Sequence, residues 1–185
     1  ALLNERSHAL ADACVKNPGA MLALLGATHE DAQAVCDACA EGDVLVCANF
    51  NSPGQVVVSG TVAAIDRAEA FWKEQSKRCS RLRTAGAFHS PLMQDAAARV
   101  EAFCETLTFN EPVYPLICNT DAKPFEVAQA VERLSNQVKS SVMFEQSIST
   151  LIAGGSSEFI EVGFGGVLTN LVKRIDRGVS RKKIG

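Results

Sequence analysis

The chain has 185 residues, 47% of them hydrophobic and 21% charged, with a net charge of −3 at neutral pH. That length predicts about one domain with room for a small insert, and a core large enough to fold on. The balance excludes a disordered chain and an obvious nucleic-acid binder, and no apolar run reaches the roughly 18 residues of a membrane span.

Ala1-Leu2-Leu3-Asn4-Glu5-Arg6 reads as helix interior with neither an initiator Met nor a capping residue before it. Residues 1–18 are therefore expected to be a helix of a larger domain. Residues 19–26 are an apolar run between glycines, which predicts a buried strand. Thr28 with Asp31 forms a capping-box pattern for a helix that puts Ala32, Val35, Cys36 and Cys39 on one face. Residues 44–50 and 55–58 predict two strands, joined by a Ser52-Pro53-Gly54-Gln55 turn. Thr61 can cap the next helix, with Val62, Ile65 and Trp72 inward, and residues 81–88 can extend as a strand. Residues 19–88 thus read β-α-β-β-α-β, the order of a ferredoxin-like unit.

Beyond this unit, residues 91–107 predict a helix with Met93, Ala97, Val100, Cys104 and Leu107 at helical spacing. Residues 113–118 predict a strand, and residues 127–138 a helix with Val127, Val131, Leu134 and Val138 inward. Residues 144–152 predict a further helix, 159–162 a short strand, 163–166 a tight turn and 167–175 a last helix. The alternation points to an α/β fold with a three-layer domain over residues 89–176. Six basic residues against Asp176 in residues 173–185 predict a disordered basic tail over 177–185. Few strands remain for the layered domain, and open sheet edges favour self-association.

Several residues could carry chemistry. His89, in Gly86-Ala87-Phe88-His89-Ser90-Pro91, sits where a strand would pass into a helix. A histidine there can be a general base, though a structural or helix-start residue is the commoner reading of the residues alone. Arg6 on an apolar helix face can grip a carboxylate bidentately, or pair with Glu5. The amides around Asn49 and Asn51 fit a turn as well as a ligand site. Gly163-Phe164-Gly165-Gly166 lacks a phosphate-loop motif and fits a packing turn better than a phosphate cradle. The seven cysteines are odd in number, which points to reduced thiols in a cytoplasmic protein. Cys36 and Cys39 form a CxxC that fits the buried face of its helix; no second pair stands at zinc spacing, so no metal is expected. No Gly-x-Ser-x-Gly nucleophile elbow occurs. Lys73, Lys77, Arg78, Arg81 and Arg83 form a basic stretch that could dock an acidic partner, the alternative to an enzymatic role.

Five segments occur in order at matching gaps: Gly19-Ala20-Met21, the run from Asn49 to Gly60, Ala87-Phe88-His89-Ser90-Pro91-Leu92-Met93, Phe144-Glu145-Gln146-Ser147-Ile148, and Phe159-Ile160-Glu161-Val162-Gly163. Together they resemble the malonyl-CoA:acyl-carrier-protein transacylase family, from residue 1 to about 176. The resemblance implies a partial α/β-hydrolase-like domain carrying a ferredoxin-like insert. It implies ping-pong transfer of malonyl from a coenzyme A thioester, through a serine ester, to the phosphopantetheine thiol of acyl carrier protein, with no cofactor. It makes His89 the base, Arg6 the clamp on the malonyl carboxylate, and Gln137 the residue whose backbone carbonyl orients the imidazole. Asn51 falls in the family's amide motif near the cleft, and Phe88 matches malonyl-selective members whose bulk excludes a 2-methyl branch. The family's nucleophile elbow has no counterpart here, so the isolated chain is expected to be inactive. The family's GPGK turn is Gly163-Phe164-Gly165-Gly166, and Leu10 stands where a Met is usual.

Overall fold

The Thr28 hydroxyl accepts from the Asp31 backbone N–H at 3.1 Å, and the Asp31 carboxylate accepts from the Thr28 N–H at 3.0 Å. This reciprocal cap starts the second of seven α-helices in the computed structural model, which describes residues 1–185. In chain order the elements are α1 (Leu2–Lys16), β1 (Gly19–Leu25), α2 (His29–Cys39), β2 (Leu45–Ser52), β3 (Gln55–Thr61), α3 (Val62–Glu74) and β4 (Cys79–Arg81). Then follow α4 (Gln94–Cys104), α5 (Ala130–Asn136), α6 (Phe144–Ala153), β5 (Glu158–Val162), α7 (Val167–Ile175) and β6 (Ser180–Ile184). None of the helices is long and apolar enough to cross a membrane.

The first four strands form one antiparallel sheet in the order β2-β3-β1-β4. That order, with α2 and α3 as the two crossovers, is the split βαβ arrangement of a ferredoxin-like unit. Alternation along β1 explains its unbroken apolar sequence. Leu22 and Leu24 face the helices with Val35, Val56, Val58, Ile65 and Trp72, while Met21 and Ala23 pack on the other face with Ala48, Val57 and partly buried Phe88. The turn between β2 and β3 places Gly54 at φ +76, a backbone value that glycine adopts without strain.

A second core joins α1, α4 and the end of α5. Ala9 and Ala13 meet Ala96, Ala97 and Val100, and these small side chains let α1 and α4 approach closely. The remaining helices, α6 and α7, pack by Ile148 and Val172 against the parallel β5–β6 pair. Two polar links tie α6 and α7 to the insert: His29 Nε2 lies 3.4 Å from Glu145 Oε2, and Arg174 donates to Gln55 Oε1 at 2.7 Å. The segment before α6 also hydrogen-bonds to the edge of β2, with Phe50 N–H donating to Val142 O and Val142 N–H to Ala48 O, both at 2.8 Å.

The architecture is α/β, as the sequence predicts, with six departures in detail. Residues 113–118 form no strand: Val113 and Tyr114 are 88% and 80% exposed, and only a local Ile117–Pro124 bridge forms. Pro112 and Pro115 remove two backbone donors, and no neighbouring strand is present to pair the rest. The strand expected over 81–88 is instead Cys79–Arg81, after which the chain turns toward α4. The helix expected over 91–107 starts as a 3₁₀ turn at Pro91–Met93 and ends at Cys104, and that over 127–138 starts as a 3₁₀ turn at Val127–Gln129. Val62, expected inward, is exposed in the first turn of α3. The basic tail is ordered: Ser180–Ile184 pairs in parallel with β5, and Lys182 meets Glu158 at 2.5 Å. Opposite charges on adjacent strands offset the repulsion that made this stretch look disordered.

Candidate active site

His89 owes its position to the turn that precedes α4. The Ser90 hydroxyl donates to Ala87 O at 2.6 Å and accepts from Leu92 N–H at 3.3 Å, closing the turn from both sides. His89 itself takes φ +58, in the left-handed region that a non-glycine residue enters only when its surroundings hold it there. Gly86 just before it lies against Cys14 of α1, where a Cβ would come within 2.5 Å of the sulfur.

Two carbonyls hold the ring. His89 Nδ1 is 3.1 Å from Gln137 O and 3.2 Å from Ser140 O. Both partners can only accept, so Nδ1 carries the proton and Nε2 keeps its lone pair. Gln137 O lies at the C-cap of α5, where the last helical C=O groups have no partner within the helix, and Ser140 O lies in the turn beyond it. Burial pushes the His89 pKa below its ordinary value; the two carbonyls oppose that shift, and the nearby Arg6 charge adds to it.

Arg6 projects from α1 toward the same point. Its Nη2 donates to the side-chain oxygen of Gln137 at 2.8 Å. Glu5, the local acid available to it, bonds to Arg99 instead at 2.5 Å. The guanidinium is therefore half-buried without a carboxylate partner, and burial lowers its pKa. A planar fork left uncompensated in this way suits an incoming carboxylate.

An α1–α4 pair, a histidine in a strained turn and a ferredoxin-like insert are the setting of this site. The family described as Acyl transferase domain matches residues 6–183. The chain belongs to that family.

It is 38% identical over 178 residues to the malonyl CoA-acyl carrier protein transacylase of Bacillus subtilis (strain 168), covering 95% of this chain and 56% of the relative. It is 35% identical over 176 residues to the protein of that name in Escherichia coli (strain K12), covering 94% of this chain and 57% of the relative. Among solved structures, the malonyl CoA-acyl carrier protein transacylase from Clostridium perfringens overlays with TM-score 0.94 at 29% identity, covering 99% of this chain and 58% of that one. A malonyl-transacylase solved with a type II PKS acyl-carrier protein overlays equally well, with TM-score 0.94, 29% identity and coverage of 99% and 60%. The acyl transferase domain thus spans a little over half the length of the proteins it matches.

Of the residues singled out in the sequence, the fold brings His89, Gln137 and Arg6 together. Phe88 lies at the junction of the insert's outer sheet face and the α1–α4 core. Asn51 sits in the β2 bulge between Phe50 and Ser52, and no hydrogen bond joins it to the other three. Sequence reading missed the Ser140 carbonyl and the Gln137 side chain. The one available signal was the predicted helix end near residue 138, since helix ends leave free carbonyls.

The other candidates resolve differently. At Gly163-Phe164-Gly165-Gly166 the Glu161 carboxylate accepts from Thr169 N–H at 2.8 Å and Leu168 N–H at 3.2 Å. The anion position at the start of α7 is thus filled by the chain's own Glu161, which speaks against a phosphate cradle. The turn does not pack either, since Phe164 is fully exposed and a Cβ at Gly163 or Gly165 would meet nothing. Cys36 and Cys39 are buried on α2, and Cys36 Sγ is 3.8 Å from Cys47 Sγ. The neighbouring Cys47 sulfur, together with burial, raises the Cys36 pKa. No three His, Cys, Asp or Glu side chains converge in a way that could hold a metal ion. The basic stretch is largely neutralised: Lys73 pairs with Glu69 at 2.5 Å, Lys77 with Asp31 at 3.4 Å and Arg81 with Asp66 at 2.7 Å. This leaves Arg78 and Arg83 without ion pairs.

Proposed function

We propose that this domain serves in transferring a malonyl group from a coenzyme A thioester to the phosphopantetheine thiol of acyl carrier protein. The observation that carries the reading is one residue, Gln137, in contact with both an oriented imidazole and a guanidinium that has no carboxylate partner. The names of the relatives, and the neighbour solved with an acyl-carrier protein, support the substrate class.

In this reading His89 Nε2 takes the proton of a serine hydroxyl as its oxygen attacks the thioester carbonyl. Coenzyme A leaves as a thiol with that proton. In the second half His89 deprotonates the pantetheine thiol, which attacks the serine ester, and the serine departs as the protonated alcohol. Arg6 binds the free malonyl carboxylate through its fork. Phe88 would limit room for a branch at the acyl carbon, and Asn51 would lie near the cleft. Gln137 O keeps the imidazole in the Nδ1–H tautomer, the task of the acidic member of a triad, performed here by a neutral acceptor. The chemistry needs no cofactor or metal. The seven free cysteines and a coenzyme A substrate fit a cytoplasmic setting.

No Gly-x-Ser-x-Gly segment occurs in residues 1–185, so the serine would come from polypeptide outside them and the chain alone would form no acyl ester. The test is a fusion of this chain to the part of the Bacillus subtilis relative that it does not match. Expected with malonyl-CoA is a stoichiometric malonyl ester by intact mass, passed on to acyl carrier protein. His89→Ala should abolish it, and Arg6→Ala should remove the preference for malonyl over acetyl. A folded fusion that forms no ester, or takes acetyl as readily as malonyl, would refute the reading.

A further inference from the structure

We propose that the Gln137 side chain is a positioning residue for Arg6, fixing the guanidinium at a set distance from the imidazole that the same residue's backbone holds. The inference rests on the reading of Arg6 as a carboxylate clamp and adds to it what keeps the clamp in place before substrate arrives.

The geometry supports this in three ways. First, the Arg6–Gln137 bond spans 131 residues and ties α1 to the end of α5, although these helices are packed together through α4. A flexible arginine side chain would otherwise lose its rotamer freedom on binding, a cost that pre-organisation removes. Second, the acceptor is a neutral amide oxygen. It orders the guanidinium without neutralising it, so the positive charge remains for a ligand carboxylate. A Glu at this position would order Arg6 equally well and cancel that charge. Third, the Gln137 main-chain carbonyl accepts from His89 Nδ1. Base and clamp are therefore both referenced to one residue, and a shift of the α5 end would move them together. In transfer chemistry this matters, because the clamp must place the thioester carbonyl where the base can serve its attacker.

The experiment uses the 185-residue chain with malonate as the probe. Side-chain nuclear magnetic resonance follows the Arg6 Nε–H, its relaxation and its shift on titration, alongside the His89 ring nitrogens. In the ligand-free wild type, Arg6 Nε–H should relax like ordered backbone. In Gln137→Met it should become mobile, and the malonate dissociation constant should rise about tenfold or more, the loss of one hydrogen bond to a charged group. The His89 tautomer should not change, because the carbonyl is retained; a general loosening of the fold would move both. Gln137→Glu should keep Arg6 ordered and abolish malonate binding. Gln137→Ala, which only shortens a side chain at a helix end, repeats the Met test without added bulk.

If wild type binds malonate and Gln137→Met and Gln137→Ala bind it as tightly with Arg6 still ordered, the proposal is overturned while the clamp reading stands. If wild type ignores malonate yet Gln137→Met frees Arg6, the clamp reading falls and the positioning role stands.

Discussion

His89 Nδ1 lies 3.1 Å from the carbonyl oxygen of Gln137, a residue 48 positions further along the chain at the end of another helix. The contact answers two needs at once. It gives a partner to a carbonyl that its own helix cannot satisfy, and it leaves the opposite ring nitrogen free to accept a proton.

The titration of His89 follows from its burial. Its folded-state pKa lies below the ordinary value of about 6.5, so the unfolded chain takes up this proton first as pH falls. His89 therefore contributes its full stability above pH about 6.5, and loses part of it as pH drops from there toward the folded value. The ring resonances should titrate with a midpoint under 6.5, and His89→Gln should unfold with a shallower pH dependence between pH 5 and 7. A midpoint above 6.5 would contradict the buried geometry.

Gly86 sets the spacing between α1, which carries Arg6, and the His89 turn. A Cβ there would meet Cys14 Sγ at 2.5 Å and Cys14 Cβ at 3.1 Å. Gly86→Ala should cost about 1–3 kcal/mol in urea denaturation. Adding Cys14→Ala should recover part of that loss and not all of it, since the Cβ contact remains. Full additivity of the two substitutions would show that they do not touch.

Glu161 accounts for the shape of the glycine turn. Its pKa is lowered chiefly by the Thr169 backbone N–H, then by the Thr169 hydroxyl. The contribution is present above the ordinary carboxylate pKa and is lost as pH falls through the lowered folded value. Glu161→Ala should lower thermal stability at pH 7 and leave it nearly unchanged at the acid end, where the wild-type carboxyl is already protonated. Equal destabilisation at both pH values would rule out the helix cap as the cause.

Trp72 anchors the insert: it is 1% exposed, and its indole N–H donates to Arg78 O at 2.9 Å. Trp72→Ala should cost about 3–5 kcal/mol, and Trp72→Phe clearly less, because most of the ring packing survives. As the chain's single tryptophan, its fluorescence follows the insert in wild type, and circular dichroism serves for the variants.

Local pattern was enough for much of the fold. The capping box at Thr28 and Asp31, the Pro53-Gly54 turn and the one-sided apolar spacing of α2, α4 and α7 each act within a few residues, and each element formed. Where an element needed a distant partner, the sequence misled. Residues 113–118 have strand-like side chains and no strand beside them, while residues 180–184 look like a charged tail and pair with β5.

The site divides along the same line. Sequence alone determined which residue types were present: a histidine at a helix start, an arginine on an apolar face, and no serine elbow. Only the tertiary structure decided their states. Arg6 has no carboxylate partner because Arg99 holds Glu5, and the His89 Nε2 lone pair is free because the Gln137 and Ser140 carbonyls lie within reach of Nδ1. Those outcomes depend on contacts across 48, 51, 94 and 131 residues, and spacing along a chain carries no information about which distant groups will meet.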